Sequence, residues 1–144
     1  MDVTSRTVRR ISAVIALIAV LAACTPMRQE RALTARSGVE LYQQLCASCH
    51  GVDGRGDGPV APLIKIPVSD LTRLAYRDGG EFPAADVRLV IDGRSDRRAH
   101  GPRDMPVWGW QLYDSTDPHD AQARARTDAL IGRLVDYLQS IQRL

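Results

Sequence analysis

The chain has 144 residues, with 19 Lys and Arg against 17 Asp and Glu, and only 5% of it is aromatic. A chain of that length is expected to form one compact domain with a modest core. A formal net charge of +2 gives no support for nucleic-acid binding, which needs a concentrated basic surface.

Arg6, Arg9 and Arg10 precede an uncharged apolar run from Ile11 to Ala23, the layout of an export signal and too short for a confident membrane span. The run ends in Leu21-Ala22-Ala23-Cys24, which resembles a bacterial lipobox, where the Cys is diacylated and the chain is cut just before it. Residues 1–23 then read as a lipoprotein signal peptide and Cys24 as the lipidation site. An ordinary signal peptide cut nearby, or an uncleaved anchor, is the competing reading. Arg9-Arg10 suggests a twin-arginine signal, but Ser12 and Ala13 stand where bulky apolar residues belong, so export in the unfolded state is expected. Two or three acyl chains would hold the protein stably on a membrane, at the periplasmic side. After cleavage 121 residues remain, with 16 basic and 16 acidic side chains.

Residues 24–36 form the lipidated N-terminus and a polar tether; twelve residues extended reach at most about 40 Å. The globular domain is expected over 37–144. Ser37 with Glu40 makes a capping-box pattern, and Val39, Tyr42 and Leu45 follow at helical spacing. That helix leads directly into Cys46-Ala47-Ser48-Cys49-His50. Two thiols three apart with an imidazole next to the second is the attachment pattern for covalent haem. Each thiol adds across a vinyl group at the porphyrin edge, which sets His50 beneath the iron. A redox-active dithiol would want a strand-to-helix setting that the flanks lack. Zinc would need two more ligands at short spacing, with only His100, His119 and Cys24 remaining.

Gly51 to Pro67 holds four Gly and three Pro, too many for a regular element, and reads as a loop around the haem. Asp70 caps a predicted helix through about Tyr76, ended by Asp78-Gly79-Gly80. Pro83 opens another, with Val87, Val90 and Ile91 on one face and Gly93 as its stop. Gly93 to Gly109 has no period and reads as a functional loop. Five Arg against two Asp between Arg88 and Arg103 suggest either a solvated loop or a positive rim that steers an acidic redox partner. From about Pro118 the pattern is helical to the C-terminus, with Leu130, Leu134, Tyr137, Leu138 and Ile141 as the apolar stripe. No strand pattern persists, so the fold class is all-α.

A helix before the Cys46–His50 motif, a Gly- and Pro-rich loop after it, Met105-Pro106 downstream and a final amphipathic helix together resemble class I c-type cytochromes over about residues 37–143. The resemblance implies a small cytochrome c fold whose N- and C-terminal helices cross around one covalently bound haem c. It places Gly38 and Tyr42 against Leu134 and Tyr137 at that crossing, where a Gly lets backbones approach. It also implies Met105 as second axial ligand, a soft thioether that raises the potential relative to a second His. His100 is the rival ligand. The family's proximal proline, whose carbonyl accepts the other ring N–H of the ligating His, is matched by Pro59 or Pro62. Trp108 and Trp110 are expected beside the porphyrin, or else in plain core packing, and Tyr76, Tyr113 and Arg94 are possible propionate partners.

The function implied is one-electron transfer with redox proteins as partners. The alternatives are a gas sensor or peroxidase-like enzyme working through an opened Met105 site, for which His100 and Arg103 are the sole distal pair in sight, and a fixed relay subunit of a larger dehydrogenase or oxidase.

Overall fold

The computed structural model describes residues 35–94 and 105–143. The signal, Cys24 and most of the tether lie outside the described residues, as do His100, Arg103 and most of the basic stretch. Six α-helices and no strand occur among the described residues: α1 (Gly38–Leu45), α2 (Ala47–His50), α3 (Leu74–Arg77), α4 (Ala84–Asp92), α5 (Trp108–Gln111) and α6 (Ala121–Ser140). This is the all-α architecture expected. No described helix is long and apolar enough to cross a membrane.

The capping box forms at the start of α1: Ser37 N donates to Glu40 Oε2 at 2.7 Å, and Glu40 N donates to Ser37 Oγ at 3.4 Å. Of the expected face Val39, Tyr42 and Leu45, Tyr42 is buried and Leu45 half-buried, while Val39 is 44% exposed and Leu41 takes its place in the core. The helix is short, so its buried face is set by its partner rather than by its own periodicity. That partner is α6, which runs for 20 residues and buries Leu130, Ile131, Leu134, Val135 and Leu138. Each such side chain taken from water contributes about 1.5–3 kcal/mol.

Contact between α1 and α6 depends on Gly38. A methyl group added there would collide with the Arg133 carbonyl and lie 2.9 Å from Tyr137 Cβ. Backbone therefore meets backbone at this point, which brings the Tyr42 and Tyr137 rings to a centroid separation of 5.0 Å, tilted by 48°. Tyr42 Oη donates to Gly51 O at 2.7 Å and ties this packing to the far end of α2.

Asp70 caps a single 3₁₀ turn, Leu71–Arg73, from which α3 continues. Gly79 and Gly80, both at positive φ, end that segment as expected. Pro83 is the N-cap of α4, and Gly93 closes it in the left-handed region at φ 83°. Val87 and Ile91 are buried, and α4 packs on α6. The last helix begins at Ala121, capped by Asp120, whose Oδ1 accepts from Gln122 N and Ala123 N at 2.9 and 3.0 Å. The short α5 begins at the end of the periodless stretch Gly93 to Gly109 and runs two residues past it; four residues make barely one turn, too few to show a period.

Candidate functional site

Helix α1 breaks at Cys46, where φ of −120° interrupts the run, and α2 restarts at once to carry Cys49 and His50. Gly51 then reverses the chain at φ 81°. The following loop folds back over α2 and binds its carbonyls in turn: Gly56 N donates to His50 O at 2.8 Å, Gly58 N to Cys49 O at 3.1 Å, and Val60 N to Ser48 O at 3.0 Å. Gly58 has no room for a side chain, since an added Cβ would meet the Ser48 carbonyl and lie 2.7 Å from both Ala47 O and Cys49 C. These contacts hold the two thiols and the imidazole to one rigid turn.

Two clefts meet at that turn. The first, about 60 Å³, is walled by Leu45, Ile64, Ile66, Pro67, Val68, Pro106 and Trp108; the second, about 330 Å³, by Leu71, Leu74, Arg77, Asp78, Pro83, Asp86, Val87, Val90, Ile91, Leu134 and Leu138 among others. Cys46, His50 and Met105 line both. The larger of the two reaches the size of sites that take organic ligands, roughly 300–1,000 Å³. Met105 therefore shares walls with the C-x-x-C-H turn from 55 residues further along the chain.

His50 is buried, and its Nδ1 lies 3.1 Å from Ser69 O. The family resemblance implies Pro59 or Pro62 as that acceptor. Neither lines either of these two clefts and both are exposed, Pro62 lying within the 3₁₀ turn Ala61–Leu63 that packs on α2. The loop proline that lines the first cleft is Pro67, two residues before Ser69. Pro-rich spacing alone marked the loop, while the acceptor is a backbone carbonyl, a group every residue carries.

Trp108 lines the first cleft, whereas Trp110 is 79% exposed and lines neither. The three suggested propionate partners are also elsewhere. Arg94 pairs with Asp92, Tyr76 is exposed beneath the Arg73 guanidinium at 4.4 Å, and Tyr113 Oη donates to Asp117 O at 2.6 Å. The basic residue in a cleft wall is Arg77, whose Nη2 donates to Asp70 O at 2.8 Å. Arg77 was not singled out from sequence; its position at the end of a helix beside the Gly79-Gly80 stop gave no chemical signal.

Burial pushes the Cys46 thiol up to about 12, with the neighbouring Cys49 adding to the effect. Burial, then Cys46, also raises the Tyr42 phenol far above its ordinary range, so it stays protonated and keeps its bond to Gly51. The chemistry of the site is that of two sulfurs, one imidazole and one thioether around an apolar space, which is a donor set that fits a haem joined through both sulfurs.

The family model for cytochrome c matches residues 35–142, and the chain belongs to the cytochrome c family. It is a c-type cytochrome, carrying covalently bound haem c and serving haem-based electron transfer. No match was found among curated proteins or among solved structures.

Proposed function

We propose that this chain is a class I, single-haem electron carrier with His50 and Met105 as axial ligands and thioether bonds at Cys46 and Cys49. The observation that carries the reading is that Cys46, His50 and Met105 line both clefts at their junction. When bound, haem c supplies a ferric–ferrous couple. The chain supplies the rest. With Nδ1 engaged by the Ser69 carbonyl, His50 offers Nε2 to the iron in a single tautomer. Ile64, Ile66 and Val68 on one side, and Leu71, Val87 and Leu134 on the other, exclude water and lower the local dielectric. Pro106 stiffens the backbone next to Met105, so its sulfur holds its place in both oxidation states.

In this reading the precursor is exported, loses residues 1–23, and is held at the periplasmic side of a bacterial membrane through lipid on Cys24. Redox proteins dock briefly and exchange one electron; small interfaces suit such encounters.

The test is the absorption spectrum of the haem-loaded protein in both oxidation states, for wild type and Met105→Ala. The ferric wild type is expected to have the far-red sulfur-to-iron band, and the variant to lose it. A wild type without that band, whose ferrous form binds carbon monoxide readily, would instead indicate a sensor or enzyme. Cys24→Ser is expected to move the protein from the membrane fraction to the soluble one.

A further inference from the structure

The Ser69 carbonyl sits on a segment with almost no regular structure of its own, between Pro67 and the 3₁₀ turn at Leu71–Arg73. Its position against His50 must come from what grips the neighbouring residues. One grip is local: Leu71 N donates to Gly54 O at 2.6 Å. Another is the Asp70 side chain, which accepts from Thr72 N at 2.9 Å and from Thr72 Oγ1 at 2.7 Å. The third comes from the other end of the chain. Gln142, just past α6, is half-buried and uses both ends of its amide. Its Oε1 accepts from Ala75 N at 2.9 Å, and its Nε2 donates to Leu71 O at 2.8 Å and to Leu138 O at 2.6 Å. The next residue repeats the pattern, with Arg143 N donating to Thr72 O at 2.7 Å.

We infer that Gln142 is a positioning residue for the proximal histidine: by clamping Leu71 and Ala75 to the end of α6, it holds the Ser69 carbonyl on His50 Nδ1 and so tunes the haem potential. The inference rests on His50 being the proximal ligand. A carbonyl that accepts the Nδ1 proton makes the imidazole a stronger donor at Nε2, which favours ferric over ferrous iron. Arg77 Nη2 also donates to Asp70 O, but it is Gln142 that bonds both the first residue of the 3₁₀ turn, at Leu71 O, and the helix that follows it, at Ala75 N. The Met side chain has about the same length, no N–H to donate and only a weakly accepting sulfur, so Gln142→Met separates bonding from packing.

The experiment compares haem-loaded wild type, Gln142→Met and Val135→Ala. Val135 is buried on α6 and lines neither cleft, so its truncation lowers stability without touching the clamp. Three quantities are read: midpoint potential, exchange rate of the His50 Nδ1 proton by NMR, and thermal stability. For Gln142→Met the ferric-to-ferrous ratio at the wild-type midpoint is expected to fall roughly tenfold, equivalent to about 59 mV upward for a one-electron couple, with faster exchange of the Nδ1 proton. Val135→Ala is expected to lose stability while keeping both haem signatures. If Gln142→Met loses stability alone, with potential and proton exchange as in wild type, the clamp is structural and the inference is overturned. Should Gln142→Met fail to take up haem, Gln142→Asn serves, since its shorter amide cannot span from Leu138 to Ala75; it must shift both signatures for the inference to stand. Failure of the underlying reading is separately visible, because wild type would then lack an iron-shifted His50 ring proton altogether.

Discussion

The packing of α1 on α6 and the loop from Gly51 to Thr72 are held together in opposite ways. The helix pair is sealed by side chains, with Leu41, Tyr42, Ile131 and Leu134 almost fully removed from water. The loop, by contrast, buries no large apolar residue of its own, and is fastened by backbone bonds from Gly54, Gly56, Gly58 and Val60. Its apolar residues Ile64, Ile66 and Val68 face a cleft rather than a core. The pair can therefore draw its stability from its own contacts, while the loop gains much of its apolar burial only against haem. A protein arranged in this way keeps a firm frame at its back and lets the cofactor complete the front.

The sharpest way to break this comparison is to damage the frame. Ile131→Ala removes a fully buried side chain from the middle of α6, and such truncations cost about 2–5 kcal/mol. Chemical denaturation of the haem-loaded protein should register that loss as a lower midpoint with an unchanged m-value. Ile131 lines neither cleft, so the far-red band of the ferric protein should stay as in wild type. Loss of the band in a folded Ile131→Ala protein would mean that frame and site are coupled more closely than their contacts indicate.

The same contrast explains what could be read from the sequence. Cys46, Cys49 and His50 announce themselves because their chemistry resides in side chains at a rare spacing. Gly38 could be read through the family resemblance, and the Arg133 carbonyl supplies the physical reason for it. The capping residues Ser37 and Asp70 and the stops at Gly79 and Gly93 were legible because capping and positive φ select few residue types. The acceptor for His50 was not legible, since Ser69 acts through its backbone and its side chain is incidental. Gln142 was equally silent, because its three partners are backbone groups, two of them some 70 residues away in sequence. Trp110 misled for a different reason: a large aromatic next to a site residue is expected indoors, yet α5 is a single turn and sends its two Trp side chains into different surroundings.

A smaller perturbation compares one glycine from each region. Gly38→Ala and Gly58→Ala each place a methyl group against backbone, and overpacking of this kind costs typically about 1–3 kcal/mol. The expected outcomes differ in kind. Gly38→Ala pushes on α6 and should lower stability with normal haem spectra. Gly58→Ala pushes on the α2 carbonyls of Ala47, Ser48 and Cys49, and should in addition reduce the yield of haem-loaded protein, measured as haem absorbance per polypeptide. Equal haem content in the two variants would show that the loop tolerates displacement. Smaller still is Ser37→Ala, which removes the α1 cap and is expected to cost about 1 kcal/mol by denaturation, with no change at the haem.

The mildest effect is a dependence on acid that should belong mainly to the caps. Hydrogen bonds from Ala123 N, and then from Ser115 and Gln122, hold the Asp120 carboxyl below its ordinary range. The Ser37 hydroxyl and amide do the same for Glu40. At Asp70 burial pushes upward, but the bonds from Thr72, with Arg77 and Arg73 nearby, leave it lowered as well. A carboxyl depressed in the folded state contributes stability that is fully present above its unfolded pKa and is lost as pH falls through the folded one. The melting temperature should therefore hold steady down to about pH 5 and decline below it. Asp120→Asn keeps a capping oxygen for Gln122 and Ala123 but cannot titrate. Its decline should accordingly be shallower than that of wild type, and a variant that follows the wild-type curve throughout would place the acid sensitivity at Glu40 or Asp70 instead of at the start of α6.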